Sequence, residues 1–126
     1  MSASNFIGGQ RSAAGSVHLQ SLDARTGEAL PGVFTQATPG EVAAAAEAAE
    51  AAFVEYNGMA PERRAQFLDA IADQLDALGD SFIATVCRET GLLAARIQGE
   101  RGRTSNQLRL FAKVLRRGDY LAARID

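Results

Sequence analysis

Five arginines lie among the twenty residues from Gly99 to Gly118, although the chain as a whole carries a net charge of -2. A guanidinium group offers a planar set of donors that can hold a carboxylate, so an arginine facing a pocket is a candidate for binding a carboxylate-bearing substrate. The same charge on an apolar helix face is costly unless it is paired. The candidates are Arg101, Arg103, Arg109, Arg116 and Arg117.

At about 100° per residue, the helix predicted to carry these arginines has one apolar stripe, which we expect to be buried. Arg109, Arg116 and Arg117 project to the opposite face, where exposure to solvent explains them. The residues of the stripe are Ile97, Thr104, Leu108, Phe111 and Leu115, with Ala112 and Val114 widening it to the two sides.

The two remaining arginines project onto or beside the apolar stripe. Arg101 lies within it, and Arg103 lies on its flank alongside Gln107, so we expect both arginines to be at least partly enclosed. Glu100 can form an ion pair with Arg103 three residues on or with Arg96 four residues back. Spacing alone leaves open whether Arg101 and Arg103 are structural or one of them binds a ligand.

Other residue types that carry chemistry are isolated in the sequence. Cys87 shares an apolar helix face with Phe82 and Ile83, which favours a structural cysteine, and His18 is expected to face solvent. No cluster of ligands predicts a metal site. The glycine-rich motifs that bind nucleotide phosphates do not occur.

Composition narrows the class of protein. The 126 residues suffice for one domain, and 13 basic against 15 acidic residues give no field that favours nucleic acid. There is one cysteine, no signal-peptide pattern at the start and no run of about 18 apolar residues. We therefore expect a cytoplasmic protein that contacts neither nucleic acid nor membrane.

The elements that must position the arginines follow from turn and capping signals. Residues 1–37 predict a short β ribbon of two or three strands, with Pro31 marking an edge strand. Thr38 and Glu41 form a capping box with Pro39 between them, which predicts a helix start. Residues 38–118 predict about four helices, and 119–126 the start of a strand without a partner. The predicted helices run from Pro39 to about Tyr56, from Pro61 to Gly79, from Asp80 to Gly91 and from about Leu93 to Arg117.

Taken together, these motifs resemble the aldehyde dehydrogenase superfamily, and within it the α-ketoglutaric semialdehyde (2,5-dioxopentanoate) dehydrogenases. The run from Gly99 to Thr104 is the part most characteristic of that subfamily. The matching segments are Asn5-Phe6-Ile7-Gly8-Gly9, Thr26-Gly27-Glu28, Glu89-Thr90-Gly91, Gly99-Glu100-Arg101-Gly102-Arg103-Thr104, Gln107-Leu108-Arg109-Leu110-Phe111-Ala112 and Ala123-Arg124-Ile125-Asp126.

The resemblance implies an α/β fold of which this chain is the amino-terminal part, with residues 38–118 as the helical layer of the cofactor domain. The family's nucleophilic cysteine, its water-activating glutamate and its NAD or NADP site would all lie beyond Asp126. Cys87 does not occupy the nucleophile's motif. The resemblance therefore implies no catalytic and no cofactor-binding residue in this chain, inactivity of the chain alone, and a homo-oligomer when the enzyme is complete.

The resemblance also implies that the helix following Gly99 lines the entry tunnel for the aldehyde. Arg103, with Gln107 one turn on, is then predicted to bind the distal carboxylate of a semialdehyde, in the oxidation of 2,5-dioxopentanoate to 2-oxoglutarate. Arg101 is predicted to be structural.

An alternative is a stand-alone helical module for interaction or oligomerisation, without catalysis, whose basic face would contact the partner. A reading frame that continues past Asp126 into a glycine-rich turn and a catalytic cysteine would favour the enzyme.

Overall fold

A computed structural model describes residues 2–121, with only the backbone of Ser2. The chain divides into one compact unit that ends at Asn57 and another that begins at Gly58. Each unit is described by itself. In the described residues, short strands are followed by four α-helices, which agrees with the predicted order of elements.

The first unit begins with a β ribbon in two small sheets. The second and third strands form an antiparallel hairpin around Gly8 and Gly9, whose φ angles of 54° and 79° suit glycine. The first strand runs parallel to the fifth, and the fourth runs antiparallel to the fifth on its other side. The strands are β1 Ser2–Ala3, β2 Asn5–Ile7, β3 Gln10–Ser12, β4 His18–Leu19 and β5 Val33–Thr35.

The prediction of an edge strand at Pro31 is wrong. Pro31 precedes β5 and takes no place in its ladder, so the strand can pair on both sides and is the central strand of its sheet. Proline lacks a backbone N–H only at its own position, so it does not prevent the residues after it from pairing on both sides.

Helix α1 spans Pro39–Gly58, and its capping box is confirmed. The amide N–H of Glu41 donates to Thr38 Oγ1 at 3.1 Å, and the amide N–H of Thr38 donates to Glu41 Oε2 at 2.8 Å. Glu41 is buried and also accepts from the Ser12 hydroxyl and from the amide N–H of Ala14, at 3.1 Å for the latter. These donors, Ser12 foremost, lower the pKa of Glu41 to about 2. An ionised carboxylate therefore joins β3 to the start of α1.

The second unit contains three helices and a terminal turn. Helices α3 and α4 each end at a glycine in the left-handed region, Gly91 at φ 73° and Gly118 at φ 71°, as the sequence predicts. None of the helices among residues 2–121 is long and apolar enough to cross a membrane. The helices are α2 Pro61–Asp76, α3 Asp80–Thr90 and α4 Ala94–Arg117.

Two boundaries in the second unit differ from prediction. Helix α2 ends at Asp76, before Gly79. The strand predicted for 119–126 is not found in the described part, because Asp119–Leu121 form a 3-10 turn. Residues 122–126 lie outside the described residues.

Helices α2 and α4 pack against each other along small side chains that have no exposed surface: Ala65, Ala72, Ser105 and Ala112. We call this contact the α2–α4 seam. The buried face of α4 therefore centres on Ser105 and Ala112, about 70° around the helix from the predicted stripe. Within that stripe Ile97 is buried as expected, whereas Phe111 is 53% exposed. Ala112, predicted at one side of the stripe, is confirmed as buried, but the predicted centre of the buried face is wrong because small residues, not large apolar ones, form the close contact.

Candidate functional site

Arg109 and Arg116, both predicted to face solvent, form ion pairs with α2. Arg116 is exposed as predicted, whereas Arg109 is half-buried, so the prediction is wrong for Arg109. Arg116 donates from Nε to Glu62 Oε2 at 2.9 Å and from Nη1 to Asp69 Oδ2 at 2.8 Å. Its side chain is 37% exposed. Hydrogen bonds from Arg116 lower the pKa of Glu62, and Glu62 in turn raises the pKa of Arg116. The charge of Arg116 is therefore paired with carboxylates of α2 while its side chain keeps access to solvent.

Arg109 makes a second clamp of the same kind. Its Nη2 lies 2.7 Å from Asp73 Oδ1, and its Nη1 lies 2.8 Å from Asp76 Oδ2. The other oxygen of Asp76 accepts from the Ser105 hydroxyl at 2.6 Å. The Ser105 bond, followed by the Arg109 bond, lowers the pKa of Asp76, and Asp73 foremost raises that of Arg109. The seam is thus an interhelical network of ion pairs and one hydroxyl.

A sequence signal for this network exists, but it lies on the other helix. At about 100° per residue, the acidic residues of α2 fall on one stripe, which complements the stripe of basic residues on α4. Projecting α4 alone cannot reveal that its arginines have partners. The acidic stripe is Glu62, Asp69, Asp73 and Asp76.

Arg101 and Arg117 lie where the sequence places them. Arg101 is half-buried, and its guanidinium donates to the carbonyl oxygen of Leu78, just after α2. Satisfying a backbone carbonyl at a helix end is a structural role. Arg117 is 71% exposed and pairs with Asp119. Both are confirmed in the positions predicted for them.

Arg103 and Gln107 occupy the face of α4 that points away from the seam. They stand two positions before and after Ser105, which turns each about 160° from that buried residue. Both are exposed, so the expectation that Arg103 is partly enclosed is wrong for the described residues. Neither side chain forms a hydrogen bond or an ion pair with any residue between 2 and 121.

Arg103 and Gln107 line an open groove of about 510 Å³. Its other lining residues are Glu100, Thr104 and Leu108, so α4 supplies all of its lining among the described residues. Of the two pairings possible for Glu100, the structure has the one with Arg96, at 2.5 Å. The carboxylate of Glu100 therefore leaves the guanidinium of Arg103 uncompensated by the described residues.

The groove carries hydrogen-bond donors and one positive charge, which is the chemistry that an anion requires. Arg103 supplies a fixed positive charge with several N–H donors, and Gln107 supplies amide donors one turn further on. A carboxylate fits the planar guanidinium. Thr104 and Leu108 border the groove with a hydroxyl and an aliphatic chain, surroundings suited to a short carbon chain.

The remaining candidates do not add to this groove. Cys87 is half-buried within α3, and His18 is exposed on β4 as predicted. Among the side chains that the structure describes, no three of the types His, Cys, Asp and Glu lie together as a possible metal site.

Comparison with known proteins gives two concordant findings. The family model described as "Aldehyde dehydrogenase family" matches residues 12–124. The alpha-ketoglutaric semialdehyde dehydrogenase of Acinetobacter baylyi is 47% identical over 121 residues, covering 96% of this chain and 23% of that protein. Alpha-ketoglutaric semialdehyde dehydrogenase 2 of Azospirillum brasilense is 47% identical over 122 residues, with the same shares of 96% and 23%. The resemblance read from the motifs is confirmed, and the chain spans less than a quarter of the length of the curated relatives it matches.

Proposed function

The chain belongs to the aldehyde dehydrogenase family, and from this premise we propose that it is the amino-terminal part of an NAD(P)-dependent semialdehyde dehydrogenase. The substrate that we propose is 2,5-dioxopentanoate, oxidised to 2-oxoglutarate with NAD(P)+ accepting the hydride and water supplying the oxygen. Both relatives carry the name of such an enzyme. Assembly as a cytoplasmic homo-oligomer stays a prediction from the sequence.

The observation that carries this proposal is the uncompensated charge of Arg103 on the wall of an open groove. Glu100, the nearest carboxylate in sequence, is held by Arg96, and no described residue accepts a hydrogen bond from Arg103. A long basic side chain left without a partner, beside Gln107, is suited to a ligand carboxylate. In the proposed reaction this is the distal carboxylate, which orients the aldehyde without taking part in the oxidation.

The start of α1 is not suited to the pyrophosphate of a dinucleotide. Where a strand leads into a helix in the first unit, from β5 to α1, the helix start holds the carboxylate of Glu41. Its pKa of about 2 keeps that group negatively charged, so a pyrophosphate placed there would be repelled. We therefore propose that other parts of the enzyme bind the cofactor and carry the reacting groups. This chain would contribute to substrate recognition.

The alternative of a stand-alone interaction module depends on a basic face free to meet a partner. In the structure, the carboxylates of α2 already hold Arg109 and Arg116, so these charges are not available to another chain. This observation favours the enzyme over the interaction module.

The test uses the complete enzyme, meaning the full reading frame that contains this sequence or a fusion of this chain to the remaining part of the Acinetobacter baylyi relative. Arg103→Ala should raise KM for 2,5-dioxopentanoate by about 10- to 150-fold, as expected for loss of a charge-assisted hydrogen bond. The rise in KM for pentanal, which has no carboxylate, should be far smaller. Arg117→Ala removes an exposed arginine from the same helix and is the matched control. Equal losses on both aldehydes would remove Arg103 from substrate recognition.

A further inference from the structure

Asp76 is the last residue of α2, a position where a carboxylate is disfavoured by the helix dipole. Both of its carboxylate oxygens nevertheless have a bonding partner, and both partners lie on α4. Oδ1 accepts from the Ser105 hydroxyl at 2.6 Å, and Oδ2 lies 2.8 Å from Nη1 of Arg109. A single carboxylate thus holds two residues of α4 that are one turn apart.

Ser105 and Arg109 define the rotation of α4 about its own axis. Ser105 has no exposed surface, and its hydroxyl also lies 3.1 Å from the carbonyl oxygen of Arg101. Two contacts one turn apart on one side of a helix leave little freedom to roll. The side that they fix is the one opposite Arg103 and Gln107.

We propose that Asp76 is a positioning residue for substrate recognition: by holding Ser105 and Arg109, it sets the rotation at which α4 presents Arg103 and Gln107 to the substrate carboxylate. This inference rests on the proposed function of Arg103. Asp76 touches no substrate, and its effect passes through the orientation of α4.

Asp73 provides a matched control, because it too is an acidic residue of α2 that binds Arg109, at 2.7 Å. The structure gives it no bond to Ser105. Removing Asp73 therefore weakens the arginine clamp but leaves the Asp76 bonds in place. A role in stability alone would be shared by both carboxylates, whereas a role in setting the rotation belongs to Asp76.

The experiment compares Asp76→Ala and Asp73→Ala in the complete enzyme, with 2,5-dioxopentanoate and pentanal as substrates. We expect Asp76→Ala to raise KM for 2,5-dioxopentanoate roughly tenfold, since small misplacements of binding groups have effects of this size. Its kcat and its KM for pentanal should change by no more than about twofold, which is less than the change expected when one hydrogen bond to the substrate is lost. Asp73→Ala should leave the ratio of the two KM values unchanged. A change in that ratio for both variants, or for neither, would overturn the inference.

Introducing Asp76→Ala into Arg103→Ala completes the test. If Asp76 acts through Arg103, the double variant has the same KM ratio as Arg103→Ala, and a further change in the ratio overturns the inference. If Arg103→Ala raises KM equally for 2,5-dioxopentanoate and for pentanal, the proposed function itself fails. If Asp76→Ala does not fold, Asp76→Asn and Ser105→Ala replace it, with the same expected direction of change in the ratio.

Discussion

The arginines on the two faces of α4 differ in whether a carboxylate of the described residues pairs with them. On the seam face, Arg109 and Arg116 each reach two carboxylates of α2 at 2.7 to 2.9 Å. On the groove face, Arg103 has no partner among residues 2–121 and stands beside Gln107. One helix therefore carries both compensated and uncompensated guanidinium groups. The difference indicates that the seam arginines fix the helix, whereas the groove arginine is available to a ligand.

The seam also shows how charge and close packing work together. Small residues bring α2 and α4 near enough for the arginines flanking them to reach carboxylates across the contact. Larger residues at Ser105 or Ala112 would separate the helices and lengthen the ion pairs. We therefore expect changes in the small residues to cost more stability than changes in the charges.

Ala112→Leu should cause the largest loss of stability among the variants of the two faces. Ala112 has no exposed surface, so the added side chain must separate the helices, which we expect to cost about 1–3 kcal/mol in the free energy of unfolding. Denaturant unfolding followed by circular dichroism measures this. Lys113→Leu introduces the same residue at the neighbouring exposed position and should change stability by no more than about 0.5 kcal/mol. Equal costs for the two variants would contradict the packing of the seam.

A smaller effect on stability is expected from Arg109→Ala. The substitution leaves Asp73 and Asp76 without the cation that compensates them, so the unfolding midpoint should fall. Arg103→Ala, on the other face of the same helix, removes no hydrogen bond or ion pair among the described residues and should leave the midpoint unchanged. Thermal unfolding of the two variants side by side is the measurement, and an equal fall for both would remove the distinction between the faces.

The fold could be predicted from the sequence where the signal is local, and less well where it depends on a second element. Thr38, Pro39 and Glu41 predict the start of α1 correctly, because a capping box lies within four residues. The end of α3 at Gly91 is predicted for a similar reason, because a glycine stop is also a local signal. The centre of the buried face of α4 is not, because apolar periodicity places Ala112 only at its side and gives no weight to Ser105.

The candidate site was predicted from a resemblance, and the structure adds what the resemblance lacks. Arg103 and Gln107 were named from their motif, and their position on an open groove with Glu100 turned to Arg96 comes from the structure. The role of Asp76 could not be anticipated from α4 alone. Its partners are about thirty residues away in sequence, and only the packing of two helices brings them together.

The pH dependence of stability should also distinguish the two faces, with a smaller effect than the substitutions above. The pKa values of Glu62 and Asp76 are lowered in the folded state, by Arg116 and by Ser105 respectively as the main causes. Lowered pKa values contribute stability that is complete above the ordinary values of 4.5 for Glu and 3.8 for Asp and is lost as the pH falls through the lowered ones. Unfolding midpoints measured from pH 6 down to pH 3 should fall less steeply for a Glu62→Gln, Asp76→Asn double variant. Parallel curves for the variant and the unaltered chain would contradict the network.

Arg117→Ala should cause the smallest change in stability. Arg117 is 71% exposed, its partner Asp119 lies only two residues away, and neither contributes to the seam or the groove. We expect a change in the free energy of unfolding of at most about 0.5 kcal/mol, measured by denaturant unfolding. A larger loss would show that the end of α4 takes part in the seam.

The most direct test is a crystal structure of the complete enzyme with 2-oxoglutarate, the proposed product, which would retain the distal carboxylate. The account predicts that this carboxylate lies about 2.7–2.9 Å from the guanidinium nitrogens of Arg103, near Gln107, with Asp76 still bound to Ser105 and Arg109. A carboxylate held by other residues, with Arg103 paired to a carboxylate of the protein, would contradict the account.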